Sequence, residues 1–224
     1  MKVKEFLDKL NLAADVNTCY VQGGFGCRLK SPNGDWYSTS YSWNKKNKAV
    51  IQAHTNTDPT SMGFDCVCLI KAVAFWGWTG DLSKPFGGSV YDSKNDIPIS
   101  KFAKSCADLS TDWTVDPEEG ELVFYDKGMT HIGVYVGDGI VVEATPAWAC
   151  GVQRTLLPNR LNPNAIPVRE WYAHGHSSYI EYEGDKWKKA YEKLSAAYGE
   201  LEAENRRIRA TIDTIKGLVN DYED

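Results

Sequence analysis

Gly63-Phe64-Asp65-Cys66-Val67-Cys68-Leu69-Ile70-Lys71-Ala72-Val73-Ala74-Phe75-Trp76-Gly77-Trp78 is the stretch on which the fold turns. The apolar run from Cys66 to Trp78 is too long for an ordinary strand and lacks strict alternation, so it reads as a buried helix. Gly77 and Gly80 help to end it. Cys66 opens that helix. A sulfur in a first helical turn sits at the positive end of the helix dipole, which favours the reactive thiolate. The free N–H groups of the same turn can also hold an oxyanion. Cys66 is therefore a candidate nucleophile, and a buried structural cysteine is the plain alternative.

Downstream, three strand-like runs cover 121–125, 131–136 and 140–144, and Val136-Gly137-Asp138-Gly139 joins the last two as a hairpin. A helix followed by a small antiparallel sheet is an α+β arrangement. His131 opens the middle run, and alternation places it with Gly133 and Tyr135 on one face, with Gly133 leaving space beside the imidazole. Glu143 lies in Val141-Val142-Glu143-Ala144, where a charge needs a partner. With a loop at 137–139, Glu143 falls opposite Gly133 and diagonal to His131, within side-chain reach. A register change of one residue would turn it to the other face. A carboxylate in that place orients the ring and favours the imidazolium, so Cys66, His131 and Glu143 form a candidate catalytic set.

Four stretches occur in order along the chain: Tyr20-Val21-Gln22-Gly23-Gly24, Gly63-Phe64-Asp65-Cys66-Val67-Cys68-Leu69-Ile70, Gly120-Glu121-Leu122-Val123-Phe124 and His131-Ile132-Gly133-Val134-Tyr135-Val136-Gly137-Asp138-Gly139. Together they resemble the NlpC-type cell-wall cysteine peptidases, a branch of the papain-like superfamily, over roughly residues 15–145. The resemblance implies a papain-like core, with the helix that carries the nucleophile packed on the sheet that bears the histidine. It implies hydrolysis of peptidoglycan stem peptides beside a D-glutamyl residue, with no cofactor and no metal. It assigns Tyr20 to the substrate or the oxyanion region, Asp65 to the stem peptide, and the polar third position to Glu143. Three departures stand out. Val67-Cys68 replaces the family's Ser-Gly, and Cys68 is expected to be a buried packing residue. Residues 28–61 look like an insertion that reshapes the cleft. Glutamate as third member is closer to CHAP amidase/peptidases. A CHAP-like amidase, a deamidase or transferase on a protein target, and a catalytically inactive binding module stand as alternatives.

A net charge of −5 argues against a non-specific nucleic-acid binder. No apolar run approaches the ~18 residues of a membrane span. The N-terminus lacks an uninterrupted apolar core, so it is not read as a secretory signal; Val3, Phe6, Leu7 and Leu10 instead fit one helix face. The expectation is a protein made in the cytoplasm that acts at the cell wall after release, as phage lysins do. The six cysteines read as mostly reduced and buried, with Cys19 and Cys27 able to pair outside a cell. Cys66-x-Cys68 with His131 departs from the usual zinc spacings. His174 and His176 read as surface or hydrogen-bonding residues, and His54 as a loop residue without a role. Trp36, Tyr37, Tyr41 and Trp43 suit strands, a cleft lining or core packing, and 81–119 is turn-rich.

The pattern changes after Gly184, which divides the chain into a catalytic domain at 1–182 and a helix at 183–224. Trp187, Leu194, Leu201, Ile208 and Ile215 form one seam row; Tyr191, Tyr198, Asn205, Ile212 and Val219 form the other. Spacings that alternate four and three predict a coiled coil through residues 187–219. Asn205 at an a position favours a parallel dimer, while isoleucines on both rows pull toward a trimer. Glu204 and Arg209 flank the seam at g and e.

Overall fold

The computed structural model describes residues 1–30, 37, 39–182, 197–212 and 215. The chain divides into two compact units, Met1–Tyr182 and Glu183–Asp224. The first is a mixed α+β structure.

Helix α1, Val3–Asp15, buries Val3, Phe6, Leu10 and Ala13. That spacing puts one apolar stripe on one face, and burying each large side chain contributes about 1.5–3 kcal/mol. Strands β1 (Thr18–Tyr20), β2 (Phe25–Arg28) and β3 (Met62–Phe64) form a small sheet in the order β1-β3-β2. Between β2 and β3 the described residues of the insertion form helices α2 (Ser42–Lys46) and α3 (Lys48–Thr57), with no strand among them. His54 is therefore helical rather than in a loop. The fully buried Asn44 ties this insertion down. Its side chain accepts from the Gln22 N–H at 2.8 Å and donates to the Gln22 and Tyr37 carbonyls at 3.0 and 2.9 Å. The Ser31–Asp35 turn and Trp36 lie outside the described residues.

Helix α4 runs Cys66–Ala74 and stops short of Trp78. Its hydrogen-bond ladder breaks where the N–H groups of Phe75 and Trp76 both turn to the Lys71 carbonyl, and the chain then passes through Gly77 at a φ of 72°. Within 81–119 one α-helix forms, α5 (Ile99–Ser105), after two short 3-10 turns at Pro85–Gly88 and Ser93–Asn95.

The larger sheet is antiparallel throughout, in the order β7-β6-β5-β4-β8. Its strands are β4 (Leu122–Phe124), β5 (Ile132–Gly137), β6 (Ile140–Thr145), β7 (Gly151–Leu156) and β8 (Ala173–Gly175). The expected hairpin joins β5 to β6. Asp138 and Gly139 have φ of 52° and 75°, the left-handed pair that an Asp-Gly hairpin turn uses. Alternation splits the sheet into two faces. Leu122, Phe124, Ile132, Val134 and Val142 join the main core with Leu69, Ile70 and Val73 of α4 and Phe6 of α1. Val123, Tyr135 and Val141 pack on the opposite side with Leu157 and Trp171.

In the second unit, residues 197–212 and 215 are helical. Tyr198, Leu201, Ile208, Ile212 and Ile215 are exposed on this chain. Trp187, Tyr191, Leu194 and Val219 of the expected seam lie outside the described residues. Among the described residues no helix is long and apolar enough to cross a membrane.

Candidate active site

Asp65 caps the helix that presents the candidate nucleophile. Its backbone is extended, and its carboxylate accepts from the Cys68 N–H at 2.6 Å, as an N-cap should. The other oxygen accepts from the Gly23 N–H at 2.8 Å. One buried carboxyl thus joins the start of α4 to the Gly23-Gly24 turn. Burial pushes its pKa up, and the two N–H groups pull it back. The residue expected to contact a stem peptide has two backbone partners of its own.

Cys66 is buried at the tip of α4, beside β5. Burial pushes its thiol up to about 12, and the adjacent Asp65 charge adds to this. The N–H groups of Val67 and Ile132 and the Tyr20 hydroxyl act in the opposite direction. The Cys66 helix packs against β5, the strand that follows His131. A bare thiolate is disfavoured there. A thiolate formed together with an imidazolium is a different case, because opposite charges attract strongly at short range in a water-poor site.

His131 stands at the mouth of β5, and its Nε2 lies 2.5 Å from Glu143 Oε2. The β5–β6 register, with Val134 opposite Val142, brings these two side chains together. Glu143 is fully buried, and a carboxylate in that setting requires compensation. Burial alone would raise its pKa. The hydrogen bond and charge of His131, the charge of Arg169 and the Thr155 hydroxyl outweigh burial and hold it below its ordinary value. Thr155 donates to Oε1 at 2.7 Å, and Arg169 Nε donates to the same oxygen at 2.8 Å. With Nε2 committed to Glu143, Nδ1 is the ring nitrogen left for another partner. Trp171 stacks on the imidazole at 5.7 Å and fixes its plane.

Arg169, Thr155 and Trp171 escape the sequence reading. Thr155 has a faint pattern cue, since alternation along β7 aims it at the face of Glu143. Arg169 has none, because only the folded chain carries it the 26 positions back to Glu143. The guanidinium is further enclosed by Trp148, Tyr125 and Trp171 at 4.8, 5.2 and 5.6 Å from the ring centroids.

Two clefts flank these residues. One of about 470 Å³ borders Asp65 and Val67 and is lined by Tyr37, Tyr41, Trp76, Tyr91 and the Lys71–Asp96 pair. The other, of about 740 Å³, borders Trp171 and Arg169 and contains Tyr125, Trp148 and Tyr172. Tyr20 sits against Trp43 of the insertion, ring edge to face at 4.9 Å. Trp43 therefore packs on the Tyr20 ring from the side of the insertion.

Among the remaining titratable groups, His174 and His176 are largely enclosed and paired with carboxylates distant in sequence. His174 Nδ1 lies 2.6 Å from Glu121, and His176 Nδ1 lies 2.6 Å from Asp108. The glutamate hydrogen bond raises His174. For His176, burial lowers the pKa, but Asp108 and the charge of Glu121 raise it further. All six cysteines are free and buried. Cys19 and Cys27, which the sequence left able to pair, face other partners: Cys27 points at the Gly63 carbonyl at 3.7 Å, while Cys19 lies 3.8 Å from Cys150. No family model and no curated protein matches the chain.

Proposed function

We propose that the Met1–Tyr182 unit is a cysteine hydrolase with a papain-like core, which cuts stem peptides of bacterial peptidoglycan. The observation that carries this reading is the hydrogen-bonded line from Arg169 through Glu143 to His131, at the mouth of the strand that packs beside the Cys66 helix. A nucleophile at a helix tip, a base beside it and a buried acid behind the base make up the arrangement that acyl transfer requires.

In the reaction, Cys66 passes its proton to Nδ1 of His131 as the sulfur bonds to the scissile carbonyl carbon. The developing oxyanion accepts from N–H groups at the start of α4, with the Tyr20 hydroxyl nearby. His131 then protonates the leaving amine, and a water that it activates releases the acyl group from sulfur. Glu143 holds the ring in one orientation and stabilises its charged form. The cleft beside Asp65 and Val67 offers aromatic walls and a lysine to a peptide bearing carboxylates. The 183–224 segment joins chains as a parallel dimer, and the enzyme acts on the wall after release from the cell.

One observation favours a second reading, that of an inactive binding module: burial raises the Cys66 thiol as it would an inert structural cysteine. Purified peptidoglycan incubated with the protein separates the two. Mass spectrometry should find new amino termini within stem peptides, and Cys66→Ala should produce none. Fragments that end at the sugar–peptide amide would instead mark an amidase. An intact wall, or equal release by Cys66→Ala, would remove the hydrolase reading.

A further inference from the structure

Away from the candidate catalytic line, three side chains from distant parts of the chain converge. They are Cys19 on β1, His54 on α3, and Cys150 in the turn before β7. Their ligand atoms all lie within 4.8 Å of one another, and among the described residues this is the one group of three or more His, Cys, Asp or Glu residues so placed. We propose that Cys19, His54 and Cys150 form a binding site for a zinc-like, tetrahedral divalent cation that pins the inserted helices to the strand bearing Tyr20.

The separation of the two sulfurs argues for a metal over a cross-link. They stand 3.8 Å apart, although 131 positions separate them in sequence. A disulfide brings sulfurs to about 2.05 Å. Two thiolates bound at about 2.3 Å to one tetrahedral ion must lie about 3.8 Å apart. Two thiolates and an imidazole are also the donor set that selects zinc over hard cations such as magnesium or calcium. Charge agrees as well: binding releases two thiol protons, and the two resulting thiolates neutralise the divalent ion, which suits a site where Cys19 is fully buried. Three protein ligands leave one coordination position for a water.

The backbone around Cys150 is arranged to aim it. Its φ is 54°, a left-handed conformation that a non-glycine residue adopts at an energetic cost. Its N–H donates to the Ala147 carbonyl at 3.1 Å, and its own carbonyl accepts from the Tyr20 N–H at 3.1 Å. The same turn thus presents the sulfur to Cys19 and holds the backbone of Tyr20. An ion here would fasten α3 to β1 one residue from the phenol that reaches Cys66. Its role is to position, because none of its ligands belongs to the candidate catalytic line.

The test uses the full chain, purified without chelator, with metal content measured by mass spectrometry and with Co²⁺ added to metal-stripped protein. The expected results are about one zinc per chain and the thiolate-to-cobalt and tetrahedral d–d bands of a bound Co²⁺. Cys19→Ser and Cys150→Ser should abolish those bands. The half-buried His54→Gln, which removes no core sulfur, should weaken zinc affinity at least about tenfold, the scale seen even for residues behind metal ligands. Cys27→Ser, also buried but outside the group, should bind as the parent does. Protein that folds but takes up neither ion, or His54→Gln that binds both unchanged, would overturn the proposal. So would a Cys19–Cys150 cross-linked peptide recovered from non-reduced protein.

Discussion

At the scale of single residues, Glu143 is the most demanding position in the molecule. It is a fully buried carboxylate whose partners are one histidine, one arginine and one threonine. Glu143→Gln keeps the shape but removes the charge that faces the His131 ring. Hydrolysis should fall by up to about 10⁴-fold, the drop seen when a buried triad acid becomes an amide. Unfolding free energy should drop by about 1–3 kcal/mol, because Arg169 loses its ionic partner. Denaturant titration and a peptide-release assay on the same preparation check both numbers. Since the Glu143 pKa is lowered on folding, its contribution to stability is present above the ordinary glutamate value of about 4.3 and is lost as pH falls through the folded value. The wild type should therefore lose stability in that acid range more steeply than Glu143→Gln.

At the scale of elements, the start of α4 depends on Asp65. Asp65→Ala removes an N-cap and strands the Gly23 N–H. The expected cost is about 2 kcal/mol or more, seen as a fall of roughly 4–8 °C in Tm. The β4–β8 edge makes a second prediction. His174 and His176 have pKa values raised on folding, so their stabilisation is complete below about 6.5 and disappears as pH rises through the folded values. Thermal unfolding across that interval should show a declining Tm, and His174→Gln should flatten the decline.

The same elements show how far the sequence could be read. Cys66 at a helix start and His131 at a strand mouth were legible because each depends on local periodicity, and the Asp138-Gly139 turn set the register that carries Glu143 to His131. Arg169 and Trp171 were not legible, because no spacing links them to Glu143 or His131 and only the path of the chain after β7 brings them there. In the insertion, Tyr37 and Tyr41 line a cleft and Tyr37 packs in a core cluster, as their aromatic character allows, but its helices were not legible for a related reason. Its aromatics show no helical stripe, and Asn44, which anchors it, is a polar residue whose burial is evident only beside Gln22 and Tyr37.

At the scale of the whole molecule, the second unit displays isoleucines at 208, 212 and 215 to solvent, about half exposed on the isolated chain. If this face pairs with another copy, sedimentation equilibrium should return twice the chain mass. Ile208→Glu with Ile212→Glu should return the single-chain mass while hydrolysis of a short soluble peptide per chain is unchanged. A monomeric parent would show that the seam has another use.

The central claim is that the buried Cys66 sulfur becomes a nucleophile only by giving its proton to His131. Alkylation by iodoacetamide at neutral pH, followed by peptide mapping of all six cysteines, measures it most directly. The account predicts that Cys66 is labelled first and that His131→Ala slows this labelling at least about tenfold while the other five sites stay unchanged. Labelling of Cys66 no faster than its buried neighbours, or at the same rate without His131, would contradict it.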